Sequence, residues 1–152
     1  MTSERAAVHG AQAVSLTTLL ANSDVVTLHM PLSETTRGLI GAAELSKMKK
    51  TAVLINTSRA GLVDQGALAH ALTDGVIAGA GLDVFEVEPM PTADVFRQLP
   101  NTVLTPHIGY FTSEMLKVYY EDAVEAIVAF IQGRPIRVVN AQVVDASRKP
   151  TK

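Results

Sequence analysis

The sequence predicts an α/β fold built on a parallel sheet, and three observations carry that prediction. Four short apolar runs recur along the 152 residues, each closed by a polar or turn-forming residue. Between them lie stretches whose apolar residues return at helical spacing. Within the runs, consecutive positions are apolar rather than alternate ones. That is the pattern of strands shielded on both faces by helices, as in parallel sheets.

The elements follow in order. "SLTTLLAN" at 15–22 is a short helical pattern, and "SDVVTLHM" at 23–30 is the first strand, with Val25, Val26 and Leu28 bounded by Asp24 and Pro31. "GAAELSKMKK" at 41–50 is again helical, and "TAVLINTS" at 51–58 is the second strand. "DQGALAHALTDG" at 64–75 opens on Asp64, whose carboxylate can accept a first-turn N–H, and stops at Gly75. "VIAGAGLDVF" at 76–85 is the third strand, in which Gly79 and Gly81 permit close backbone approach. "NTVLTPHIG" at 101–109 is the fourth. The last element, 112–133, places Met115, Leu116, Tyr119, Ala123, Ile127, Phe130 and Ile131 at helical spacing and ends at Gly133 and Pro135. The closing "ASRKPTK" reads as a solvated tail.

Composition narrows the function classes. With 47% hydrophobic and 18% charged residues the chain is globular, and its length suits one ordinary domain. A formal net charge of -2 leaves no basic footprint for nucleic acid or an anionic membrane. There is no cysteine, hence no disulfide framework and no thiolate zinc site, and no metal is expected. No apolar run approaches the ~20 residues of a membrane span. "MTSERAAVHGAQ" lacks the apolar core of a signal peptide, so a cytoplasmic location is expected. The nearest thing to a G-x-G-x-x-G phosphate loop runs from Gly79 to Val84. Val84 stands in the third glycine's place and no helix opens there.

Candidate chemistry collects after the strands, at the edge where open α/β sheets bind ligands. Arg59 follows the second strand. A guanidinium there can hold a carboxylate through two parallel hydrogen bonds, or it can be a plain surface charge paired with a nearby acid. Asp83, Glu86 and Glu88 stand at the end of the third strand in "LDVFEVEP"; taken alone, the glutamates are a solvated acidic turn, and Asp83 either caps a turn or reaches a ligand amide. His107 follows the fourth strand in "TPHIG", where it is either a structural hydrogen-bonding group or a proton carrier. His9, His29 and His70 have no comparable setting. The set is chemically coherent. An arginine binds a carboxylate, a histidine moves a proton at the adjacent oxygen, and a carboxylate beside the histidine favours imidazolium. Such groups suit oxidation of a 2-hydroxy acid, or the reverse reduction of a 2-keto acid, with hydride exchanged with a nicotinamide.

"SDVVTLHMPLSETTRGLI", "AVLINTSRAGLVDQGALAHAL", "AGAGLDVFEVEP" and "NTVLTPHIG", in this order, resemble the D-isomer-specific 2-hydroxyacid dehydrogenases, the phosphoglycerate dehydrogenase-like members above all. The resemblance runs from about Gly10 to about Asn140. It implies the second half of a Rossmann-like, doubly wound parallel sheet followed by a long C-terminal helix. It further implies that Arg59 binds the substrate carboxylate, that Glu88 and His107 form the acid/base pair with Glu86 a bystander, and that Asp83 contacts the nicotinamide carboxamide. His29, Pro31 and Leu32 would lie beside the adenosine half. Thr57 and Ser58 would line the nicotinamide end, and Gly109 would let the chain pass close to the cofactor. The implied cofactor is NAD, with NADP left open. The implied partner is a small 2-hydroxy or 2-keto acid, and the intact family member is expected to be a homodimer.

Three departures shape the expectation. Ala60 stands where the family has glycine, which predicts strain at Arg59 if that position requires a positive φ. Tyr110 and Phe111 follow the P-H-x-G motif where small residues are usual, and their bulk would narrow the pocket. The third is truncation. Residues 1–111 are expected to be a partial NAD(P)-binding domain lacking the first strand and the G-x-G-x-x-G loop. Residues 112–134 are expected to form a helix leading toward an absent substrate domain, with a tail at 135–152. By itself such a chain is expected to be weakly folded or associating, with little turnover. The alternative function is a non-catalytic, dinucleotide-sensing or partner-binding module. A formate dehydrogenase would replace Glu88 with glutamine.

Overall fold

The structure, a computed structural model, describes residues 2–141; the tail "ASRKPTK" lies outside the described residues. The chain forms two compact units, one ending at Gly109 and one beginning at Tyr110.

The first unit is a four-stranded parallel sheet. Strands β1 (Val25–Leu28), β2 (Val53–Asn56), β3 (Gly79–Leu82) and β4 (Thr102–Leu104) lie in the order β1-β2-β3-β4. Each is shorter than its apolar run. Pro31 follows β1, and β4 stops before Pro106, where the backbone turns into the left-handed region at His107, φ 58°. Helices α1 (Ser3–Ala7), α2 (Leu16–Asn22), α3 (Ala42–Leu45) and α4 (Gln65–Thr73) complete the unit, with 3-10 turns at Ala60–Leu62 and Val95–Gln98. Asp64 caps α4 as expected, its carboxylate accepting the Ala67 N–H at 2.9 Å. Helix α1 and both 3-10 turns are too short to leave a period in the sequence.

The sheet is covered on one side, not both as the sequence pattern predicts. Val26, Leu28, Leu54, Ala80 and Leu82 pack in one core with Leu20, Leu45, Leu68, Leu72 and Phe96. On the opposite side Val25 and Val103 are 59% and 71% exposed. The cause is topological. Parallel strands that step in one direction, joined by right-handed crossovers, put every crossover on the same face. Covering the other face requires the strand order to reverse, and these four strands do not reverse. The strand glycines serve close approach: a Cβ on Gly79 would stand 2.8 Å from the Asn101 carbonyl oxygen, and one on Gly81 would stand 2.9 Å from Ile55 Cδ1.

The second unit is dominated by α5 (Ser113–Ile131). Thr112 caps it, accepting the Met115 N–H at 3.2 Å, and Gly133 at φ 73° ends it. Arg137 returns to the helix and bonds Asp122 and Glu125, each at 2.7 Å. None of the residues of α5 is buried, and most of its large apolar residues are exposed. No helix among the described residues is long and apolar enough to cross a membrane.

Candidate active site

All four strands point the same way, so the residues that follow them share one edge. His29 follows β1, Thr57, Ser58 and Arg59 follow β2, Asp83 and Glu88 follow β3, and His107 and Gly109 follow β4.

A short hydrogen bond joins Glu88 to His107 on this edge. His107 Nδ1 lies 2.7 Å from Glu88 Oε2, and Glu88 Oε1 accepts the Phe85 N–H at 2.9 Å. The hydrogen bond from His107 is the main influence holding the Glu88 carboxyl below its ordinary value, with the Phe85 N–H second. Glu86 takes no part in this pair. Together Glu88 and His107 border a cavity of about 590 Å³ whose other walls are mostly apolar: Phe85, Pro89, Met90, Leu104 and Pro106.

Asp83 directly follows β3. It is buried, and its carboxylate accepts three hydrogen bonds from the loop that carries His107: from Thr105 Oγ1 and the Ile108 N–H on Oδ1, and from the Gly109 N–H on Oδ2. Burial alone would raise its pKa. The Thr105, Ile108 and Gly109 donors and the nearby His107 outweigh it, so Asp83 sits below the ordinary value and is held ionised. The sequence reading missed Thr105, and missed that Gly109 serves Asp83: a Cβ at Gly109 would stand 3.0 Å from Asp83 Oδ2.

Arg59 occupies a neighbouring cavity of about 520 Å³, with His29, Met30, Pro31, Leu32 and Ser58. Its Nη1 donates to the Ser58 carbonyl at 2.6 Å, and the Ser58 hydroxyl donates to the Met30 carbonyl at 2.7 Å. His29 Nε2 lies 2.9 Å from Thr27 Oγ1, and Thr57 is exposed. The structure thus gathers the predicted residues on one edge but divides them between two cavities, with Arg59 in one and Glu88 and His107 in the other. Ala60 carries no strain. It lies in a 3-10 turn, and the only non-glycine residues at positive φ among those described are His107 and Arg137. The glycine missing at position 60 is therefore not needed here for φ.

Acid should dissolve the pair. A carboxylate with a lowered folded pKa adds stability above its unfolded value, and that contribution is lost as pH falls through the folded value. The stability difference between wild type and Glu88→Gln should be full above the ordinary value of 4.5 and shrink below it. Urea midpoints measured across that range check this; a difference that is independent of pH would deny that the contact favours the ionised carboxylate.

Residues 1–109 match the family model described as "D-isomer specific 2-hydroxyacid dehydrogenase, NAD binding domain". The chain belongs to this family. Among D-2-hydroxyacid dehydrogenases, a glycerate dehydrogenase of Methylorubrum extorquens is 45% identical over 130 residues, covering 84% of this chain and 41% of that protein. A glyoxylate reductase of Korarchaeum cryptofilum is 48% identical over 136 residues, covering 89% of this chain and 41% of its own length. A crystal structure from Ralstonia solanacearum, assigned as a D-3-phosphoglycerate dehydrogenase oxidoreductase, matches with a TM-score of 0.83 and 38% identity over 94% of this chain and 43% of that one. The fold is therefore the Rossmann-like α/β fold of the D-2-hydroxyacid dehydrogenases, and the matched domain is their NAD-binding domain. The chain spans about two fifths of the length of these relatives.

Proposed function

We propose that the protein contributes the acid/base pair, the carboxylate-binding arginine and part of the cofactor site of a D-2-hydroxyacid dehydrogenase. Its substrates would be small 2-hydroxy acids or their 2-keto partners, such as glycerate and glyoxylate. The observation that carries the proposal is the 2.7 Å contact between Glu88 and His107, on the sheet edge that also bears Arg59.

The residues present suit part of an NAD molecule. Pro31, Leu32 and Met30 offer flat apolar surface for a nucleoside, with Ser58 and Arg59 as polar groups beside it and His29 at the rim. Thr57, Asp83 and Gly109 would serve the nicotinamide end. The chain has no G-x-G-x-x-G cradle for the pyrophosphate. When bound, the nicotinamide supplies the hydride for reduction or accepts it in oxidation.

Arg59 turns its guanidinium from the Ser58 carbonyl to the substrate carboxylate and so orients the carbon that reacts. In reduction, His107 gives a proton through Nε2 to the carbonyl oxygen as the carbon gains hydride; in oxidation it takes that proton back. Glu88, bonded at Nδ1, fixes the ring and stabilises the imidazolium. Asp83 keeps the loop, and with it the ring, in place. On this reading the whole protein is a cytoplasmic homodimer, and the apolar residues exposed on α5 leave room for further packing.

A chimera tests the reading. Putting this chain in place of the matching segment of the Korarchaeum cryptofilum glyoxylate reductase should yield an enzyme that reduces glyoxylate with reduced cofactor. A folded chimera that binds cofactor without turnover would favour the non-catalytic alternative.

A further inference from the structure

Asn56 ends β2 and is completely buried, one of two buried polar or charged side chains among the described residues. Burying an amide costs free energy unless both its ends are bonded. Both of its partners are backbone groups of the loop that follows. Oδ1 accepts the Ser58 N–H at 3.1 Å, and Nδ2 donates to the Arg59 carbonyl at 2.9 Å. The side chain thus closes the turn between the strand and the arginine. A leucine of similar size would leave the Ser58 N–H and the Arg59 carbonyl without these partners. An aspartate would keep the first bond but set a carboxylate oxygen against the Arg59 carbonyl.

Two further contacts tie this turn to its surroundings. The Ser58 hydroxyl clamps it to the Met30 carbonyl after β1. On the other side, the Asn56 carbonyl accepts the Asp83 N–H at 3.0 Å, and Asp83 holds the loop of His107. Asn56 therefore stands between the two halves of the edge, one bearing Arg59 and the other bearing His107.

We propose that Asn56 is the positioning residue for Arg59: its amide sets the backbone from which the guanidinium reaches the substrate carboxylate. This rests on the proposed role of Arg59. An arginine on a long flexible stem loses less entropy on binding when its backbone is already fixed.

The test uses the full chain, labelled with ¹⁵N, and oxalate as the carboxylate probe. In wild type, oxalate should shift the Arg59 Nε–H resonance, and Arg59→Ala should lose the binding. Asn56→Asp should weaken binding about tenfold, a change equivalent to about 1.4 kcal/mol, while keeping the Ser58 amide protected from exchange. Asn56→Ala should lose that protection as well. Ile77→Val, in the core away from the loop, should lower Tm without changing the affinity. One further readout needs no variant: the Asn56 side-chain amide of wild type should exchange slowly and show a hydrogen-bond coupling to the Arg59 carbonyl.

Binding by Asn56→Asp equal to wild type, with Arg59→Ala silent, overturns the proposal alone. A rapidly exchanging Asn56 amide, or an equal loss in Ile77→Val, also overturns it. Equal binding by wild type and Arg59→Ala, or none by wild type, removes Arg59 as the carboxylate holder and the proposal with it.

Discussion

Asp83→Ala should destabilise the first unit by about 2–4 kcal/mol, the range for stranding several donors of one buried carboxylate. Thr105 Oγ1 and the N–H groups of Ile108 and Gly109 all lose their acceptor. The loss extends past stability. His107 sits at φ 58°, a conformation that costs a non-glycine residue roughly 1 kcal/mol and lasts only where the surroundings enforce it. Without Asp83 the loop should relax and the contact between Glu88 and His107 should open. Urea unfolding measures the first effect, and the disappearance of the Glu88–His107 coupling by NMR measures the second. Asp83→Asn should also be damaging, because it turns an amide donor toward N–H donors. A stable Asp83→Ala variant with the His–Glu pair intact would show that the loop holds itself.

His107→Gln, made in the chimera that tests the function, should lower turnover by about 10²–10⁴-fold, the usual worth of a placed acid/base group. The dependence of the rate on pH should change with it. Arg59→Ala should act differently, raising KM and lowering kcat together, because its contact forms in the bound state and strengthens in the reacting state, where it orients the carbon. Steady-state rates with glyoxylate or hydroxypyruvate across pH separate the two. A surviving pH profile in His107→Gln would assign the proton to another group, and an unchanged kcat/KM in Arg59→Ala would remove the arginine from the site. The 152-residue chain by itself, which contains no phosphate loop, should show little turnover in the same assay.

Much of this protein could be read along the chain. The alternation of apolar runs with helical periods is local information, and it yields four parallel strands. Arg59, Glu88 and His107 fall after strand ends, so a parallel sheet must bring them to one edge. Asp64 and Gly133 mark helix ends through hydrogen bonding and left-handed backbone, which act within a turn.

Other features could not be read that way. Helix α1 is five residues long and carries no period. The strain expected at Ala60 is absent because the local turn is 3-10. No glycine announces the left-handed backbone at His107, which is held from outside the loop. The division of the edge into an Arg59 cavity and a Glu88–His107 cavity depends on side-chain directions that no motif records.

By itself, then, the sequence determined the class of fold, the order of its strands and the sheet edge that gathers Arg59, Glu88 and His107, because each of these follows from periodicity and turn chemistry within a few residues. Tertiary structure alone decided the one-sided cover of the sheet and the use of Asp83. The first follows from crossover handedness acting on a strand order that never reverses. The second joins a carboxylate to donors 22 to 26 residues farther along, and only folding brings those groups within hydrogen-bond reach.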